Sequence, residues 1–121
     1  MSKPILCLDF DGVIHSYTSG WKGATNIPDP PVAEALYFLG EAANNFTVAI
    51  YSSRSHQEGG IRAMQGYLIE HGLKWDFVVH DLIWPTYKPS AMVTIDDRAI
   101  TFTGKFPTIS ELIIFKPWNK K

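Results

Sequence analysis

Asp9 and Asp11, Ser52 and Arg54, and Asp96 and Asp97 each follow directly on an apolar run, and Lys88 stands alone just ahead of the last of these runs. Charged side chains belong at the mouth of a parallel sheet, and open α/β sheets carry their ligands at the carboxyl ends of the strands. If the three runs are neighbouring strands, one rim gathers four carboxylates. Two unit charges about 4 Å apart repel by roughly 4 kcal/mol at an effective dielectric near 20, so four such groups need compensation. Hard oxygen ligands in a small site favour Mg²⁺, which keeps waters and takes a substrate phosphate as a further ligand. Lys88 adds a second positive charge. The free N–H groups, hydroxyls and arginine of Ser52-Ser53-Arg54-Ser55 suit a phosphate at a strand-to-helix junction. The chemistry implied is phosphoryl transfer. Each piece alone has a plainer reading, an acidic turn at Asp11-Gly12 and a serine cap at Ser52-Ser53; their common placement at strand ends is what counts.

The elements that must position these groups alternate along the chain. Ile5 to Leu8 is short and apolar, as a buried strand requires, and Gly12 bends the chain after it. Residues 13–31 lose periodicity and form a flap over the site, with Tyr17, Trp21 and Lys22 as candidate substrate contacts or, for the two aromatics, covers of the core edge. His15 is either an acid/base or a hydrogen-bonding loop residue. Pro30-Pro31 starts a helix capped by Asp29, with Val32, Leu36, Leu39 and Ala43 on one face and Asn44-Asn45 at its end. Phe46 to Tyr51 is a second strand. Ile61, Met64, Leu68 and Ile69 mark a second helix, weakened by Gly59, Gly60 and Gly66 and closed at His71-Gly72. Trp75 to His80 reads as a third strand, Trp84 to Pro89 as a rigid loop, Ala91 to Ile95 as a fourth strand and Ile100 to Phe102 as a short fifth. Pro107 starts a last helix through Ile109, Leu112 and Ile113, with Ser110 and Glu111 on its exposed side. Asn119-Lys120-Lys121 reads as a solvated tail.

This alternation calls for an α/β fold: a three-layer α/β/α, Rossmann-like arrangement with a central, mostly parallel sheet. At 121 residues, 45% of them hydrophobic and 13% aromatic, the chain makes one domain over residues 1–121 with a proper core. A net charge of −1 gives no footprint for affinity to nucleic acid or membrane surfaces from bulk charge. The lone Cys7 fits a small core residue in a reducing compartment. With neither a signal peptide nor an apolar run long enough to span a bilayer, the expectation is a cytoplasmic protein without membrane partners. Nothing in the pattern calls for an obligate protein partner.

The order Asp-x-Asp-Gly-Val, then Ser after a strand, then Lys, then Asp-Asp after a strand resembles the haloacid dehalogenase-like superfamily of phosphatases, over Ile5 to about Phe115. The resemblance implies a nucleophile at Asp9 that forms an aspartyl-phosphate, and a general acid/base at Asp11. It implies that Ser52 and Lys88 hold the transferring phosphoryl group. It implies Mg²⁺ bound by the Asp9 carboxylate, the Asp11 backbone carbonyl and the Asp96-Asp97 pair, with Asp96 favoured for the direct contact. A carboxylate nucleophile splits hydrolysis into two displacements, and like-charge crowding is expected to keep Asp11 protonated for the first. The intervals after the first motif and before the lysine are too short for the inserted cap domain of many relatives. Ser52-Ser53-Arg54 and Asp96-Asp97-Arg98 are similar to segments of the phosphatase domain of polynucleotide kinases and of deoxyribonucleotidases. Ser53, Arg54 and Arg98 are therefore expected to bind substrate: a phosphorylated small molecule, a nucleotide or a nucleic-acid terminus. For the arginines the alternative is a salt bridge that orients the site. No Gly-rich loop with Lys-Ser/Thr is present, so the kinase half is missing.

Two other classes compete. A receiver-like signalling domain also groups acids, Ser/Thr and Lys on a parallel sheet, but its acidic pair follows the first strand and its phosphoacceptor the third, where this chain has His80-Asp81. A non-catalytic phosphate-binding module would have little need for every motif residue. Dehalogenation dispenses with a metal and leaves Asp11 and Asp96-Asp97 without a task.

Overall fold

The computed structural model describes residues 3–119. Strand β1 (Ile5–Leu8) buries Leu6, Cys7 and Leu8, and so both of its faces. Such a strand belongs in the middle of a sheet. It lies between β2 (Thr47–Ile50) and β3 (Val93–Ile95), all three parallel in the order β2-β1-β3. Leu8 is level with Ile50 on one side and Ile95 on the other. Helices α1 (Ala35–Ala42) and α2 (Gly60–Glu70) contribute Leu39, Ala42, Met64, Tyr67 and Leu68 to a core shared with Leu6, Leu8, Phe10, Val48 and Ile50. Truncating such a leucine to alanine costs about 2–5 kcal/mol. The chain is thus α/β, with a small parallel sheet and helices packed against it. No helix of the described residues is long and apolar enough to cross a membrane.

Several sequence expectations give way to tertiary structure. Helix α1 starts at Ala35, because Asp29 does not cap it; residues 30–32 instead pair with 14–16, Ser16 N–H donating to Pro30 at 3.0 Å and Val32 N–H to Ile14 at 2.7 Å. The expected third strand, Trp75 to His80, winds into a π-helical turn over Phe77–Asp81. That turn buries Val78, whose carbonyl accepts the Trp84 indole N–H at 2.8 Å. Ile83 takes the missing strand's place beside β2, giving its N–H to Val48 at 2.9 Å and accepting from Ile50 at 3.0 Å. Residues 100–102 form no strand.

The β3 side is sparsely covered. Val93, Thr94 and Ile95 are exposed, as are all five residues of α3 (Ile109–Ile113), although Thr108 and Glu111 close a full capping box on that helix. The last described residues, Trp118 and Asn119, the second of them read as the start of a solvated tail, bond back to the segment that follows β1. Trp118 donates its indole N–H to the Gly12 carbonyl at 2.7 Å, and Asn119 its amide to Ser16 at 3.0 Å. The rest of that predicted tail, Lys120 and Lys121, lies outside the described residues.

Candidate functional site

With Leu8 level with Ile50 and Ile95, the next residue of each strand is Asp9, Tyr51 and Asp96. The ladder continues one step past the strands, Asp9 N–H donating to Ile95 at 3.0 Å and Tyr51 N–H to Leu8 at 3.1 Å. Neighbouring strands lie about 4.8 Å apart. Asp9 and Asp96 are thereby forced side by side, and Asp97 closes the group: one carboxylate oxygen from each of the three lies within 4.8 Å of the others. Burial and the nearby Asp96 and Asp97 carboxylates push Asp9 up to about 8, against the Phe10 N–H that donates to its Oδ1 at 2.8 Å.

Asp97 is the most telling member. Its side chain is 1% exposed, yet neither carboxylate oxygen has a hydrogen-bond partner, and the nearest cation, Arg98 Nε, is 3.9 Å away. A buried carboxylate of this kind is costly unless a cation compensates it. A hard divalent ion such as Mg²⁺ fits this all-oxygen donor set. The close approach of Asp97 depends on Gly12, at φ 88°, where any β-carbon would overlap the carboxylate. Asp96 is exposed and folds one oxygen back onto the Arg98 N–H at 2.8 Å.

A pocket of about 150 Å³ opens beside this group, lined by Asp9, Asp96, Ser52, Ser53, Lys88 and Tyr51. Ser52 is buried by a tight turn: its N–H donates to Ser55 Oγ at 3.0 Å and its hydroxyl accepts from Arg54 N–H at 3.1 Å, leaving the hydroxyl proton to donate. Gly60 lets α2 start against this turn, since a β-carbon there would overlap the Arg54 carbonyl. The glycine that weakens the helix by propensity is thus needed by packing. Lys88 and Ser53 are exposed at the pocket wall.

Asp11 is turned away from this group and into an ion pair. Its carboxylate accepts from Arg54 Nε at 2.9 Å, from Arg54 Nη2 at 3.1 Å and from His15 Nδ1 at 2.9 Å. His15 is fully buried, and its Nε2 accepts the Asp29 N–H at 3.0 Å, so the ring proton sits on Nδ1 and points at Asp11. Burial raises the Asp11 pKa, but the hydrogen bonds from His15 and Arg54 and the Arg54 charge outweigh it and hold the group below the usual carboxylate range. The expectation that crowding keeps Asp11 protonated is therefore corrected: crowding acts on Asp9, and Asp11 is held ionised.

Arg54 is fully buried and each of its three guanidinium nitrogens is hydrogen-bonded, so in this arrangement it faces Asp11 and the flap and not the pocket. Its alternative reading, a salt bridge that orients the site, is the one the geometry matches. Arg98, with 54% of its side chain exposed, stands at the rim near Asp97. Tyr17 is half-buried at φ 61°, its ring 5.9 Å from that of His15. Trp21 lies over the Arg54 guanidinium, 4.8 Å from ring centre to Cζ, and remains 45% exposed. Sequence reasoning missed Trp118 and the Asp29–Ser19 and Asp29–Tyr67 hydrogen bonds that fix the flap base.

No family model, curated protein or solved structure matches the chain.

Proposed function

We propose that the chain is a capless phosphatase of the haloacid dehalogenase-like kind, with that superfamily's three-layer, Rossmann-like organisation, hydrolysing phosphate monoesters with Mg²⁺. The observation that carries this reading is the buried Asp97 carboxylate, without a hydrogen-bond partner and only loosely paired with Arg98, packed against Asp9 and Asp96 beside a pocket that Ser52 and Lys88 line. Asp9, Asp96 and Asp97, with the Asp11 backbone carbonyl, would hold Mg²⁺, whose charge lets an anionic carboxylate approach an anionic phosphate.

In the first displacement an Asp9 oxygen bonds to phosphorus while the bond from phosphorus to the leaving oxygen breaks, giving an aspartyl-phosphate. The Ser52 hydroxyl and the Lys88 ammonium donate to the phosphoryl oxygens and stabilise their charge in the transition state. In the second, water attacks phosphorus and the bond to Asp9 breaks to release phosphate, the water's proton passing to Asp11, whose carboxylate must first turn from Arg54 and His15 toward Asp9. Aryl and other acidic leaving groups depart without a proton. Alkoxides need Asp11 protonated first, which its pairing with Arg54 and His15 opposes. The uncapped rim suits a phosphorylated small molecule, a nucleotide or a nucleic-acid terminus, reached in a cytoplasmic setting.

The test is phosphate release with and without Mg²⁺ from an aryl phosphate, 5′- and 3′-nucleotides and a 3′-phosphorylated DNA oligomer, with Asp9→Asn as control. Mg²⁺-dependent release that Asp9→Asn abolishes is the expected result. Silence from a folded protein across the panel would overturn it in favour of a phosphate-binding module.

A further inference from the structure

Arg54 joins the Asp11 carboxylate to the middle of the flap, well beyond the His15 contact at the flap's start. One edge of its guanidinium holds the Asp11 carboxylate through Nε and Nη2. The other edge, Nη1, donates to three flap carbonyls: Gly23 at 2.8 Å, Ala24 at 2.9 Å and Asn26 at 3.3 Å. The Trp21 indole closes over the same group. Among the described residues, no hydrogen bond joins the Asp11 carboxylate to residues 23–26 directly.

We propose that Arg54 is a positioning residue that seats the 20–26 segment of the flap against Asp11, so that the flap closes over the site only when the Asp11 carboxylate is in place. A guanidinium suits this because it is planar, permanently charged and carries donors on both edges. An ammonium can serve one side but not both. The flap then brings Trp21 to a fixed place above the buried pair and shapes what can approach Asp9. This functional part rests on the phosphatase reading; the clamp itself does not.

Lys22, exposed and next to the clamped Gly23, provides a direct readout. The experiment is limited trypsin digestion of the full chain, cleavage after Lys22 being timed by mass spectrometry, with near-ultraviolet circular dichroism confirming the fold. Arg54→Lys is expected to speed that cleavage at least tenfold. Asp11→Ala, altered at a residue that does not bond the loop, is expected to do the same. Cleavage at the wild-type rate in either folded variant would overturn the clamp. Should both fail to fold, Asp11→Asn decides, since it keeps the side chain's shape and removes only the charge that holds Arg54: faster cleavage in the folded variant supports the clamp, and an unchanged rate overturns it.

Steady-state kinetics on an aryl phosphate, run in parallel, is expected to show Arg54→Lys raising KM more than it lowers kcat. A fall confined to kcat would overturn the role in approach. A wild-type protein that releases phosphate from no ester, yet loosens at Lys22 in the variants, would sink the phosphatase reading and leave the clamp standing.

Discussion

Gly12 and Asp97 are packed so closely that a β-carbon on Gly12 would overlap the Asp97 carboxylate. Gly12 also sits at φ 88°, where a side chain is strained irrespective of space. Gly12→Ala is therefore expected to displace Asp97 from Asp9 and Asp96 and to weaken Mg²⁺ binding at least tenfold, which titration calorimetry measures. Undiminished Mg²⁺ affinity in the folded variant would show that Asp97 does not hold the ion.

Metal-free stability should fall as pH rises from about 4 to 8. Folding raises Asp9 from 3.8 to about 8, so over that window the native state retains a proton that the unfolded chain releases. This contribution is complete below the ordinary carboxylate pKa and lost as pH passes the raised one. Asp11 is shifted the opposite way, and the stability its pairing gives is lost only as pH falls below the usual carboxylate range. Urea midpoints in a chelator at several pH values check this. Asp9→Asn should flatten the decline above pH 4, and added Mg²⁺ should oppose it.

Lys88 is exposed on the pocket wall, so its removal should touch turnover and spare the fold. Lys88→Ala is expected to lower kcat on an aryl phosphate at least a hundredfold. Its stability should change by no more than about 0.5 kcal/mol, as for other surface positions. A near-wild-type kcat would remove the lysine from the mechanism.

The ionised Asp11 makes a further distinction. Rates along a series of phosphate esters should rise steeply as the leaving group becomes more acidic, because the first displacement gains little protonic assistance in this arrangement. A flat dependence under single-turnover conditions, with bond cleavage limiting, would mean that Asp11 is released from Arg54 and protonated when substrate binds.

Much of the site was legible because strand ends are marked locally. Ile5 to Leu8, Phe46 to Tyr51 and Ala91 to Ile95 are largely apolar runs that stop at polar residues, and a parallel sheet must bring such ends to one rim. The nearness of Asp9 and Asp96 follows from that alone. The fate of Trp75 to His80 was not legible. Its residues favour a strand by propensity, but β-propensity yields to packing, and burying Val78 while Ile83 pairs with β2 decided for a helical turn.

The sequence by itself thus determined the α/β class, the parallel strand ends and the residues gathered there, since each depends on the periodicity and punctuation of a few neighbours. The tertiary structure alone decided how charge is shared among them. Asp9 and Asp11 stand one residue apart with the same chemistry, yet one is crowded by Asp96 and Asp97 and the other is captured by Arg54 and His15. Arg54 reaches Asp11 from 43 positions along the chain, and Trp118 reaches Gly12 from 106. An ionisation state depends on every charge and dipole within a few ångströms, and those neighbours are assigned only when the chain has folded.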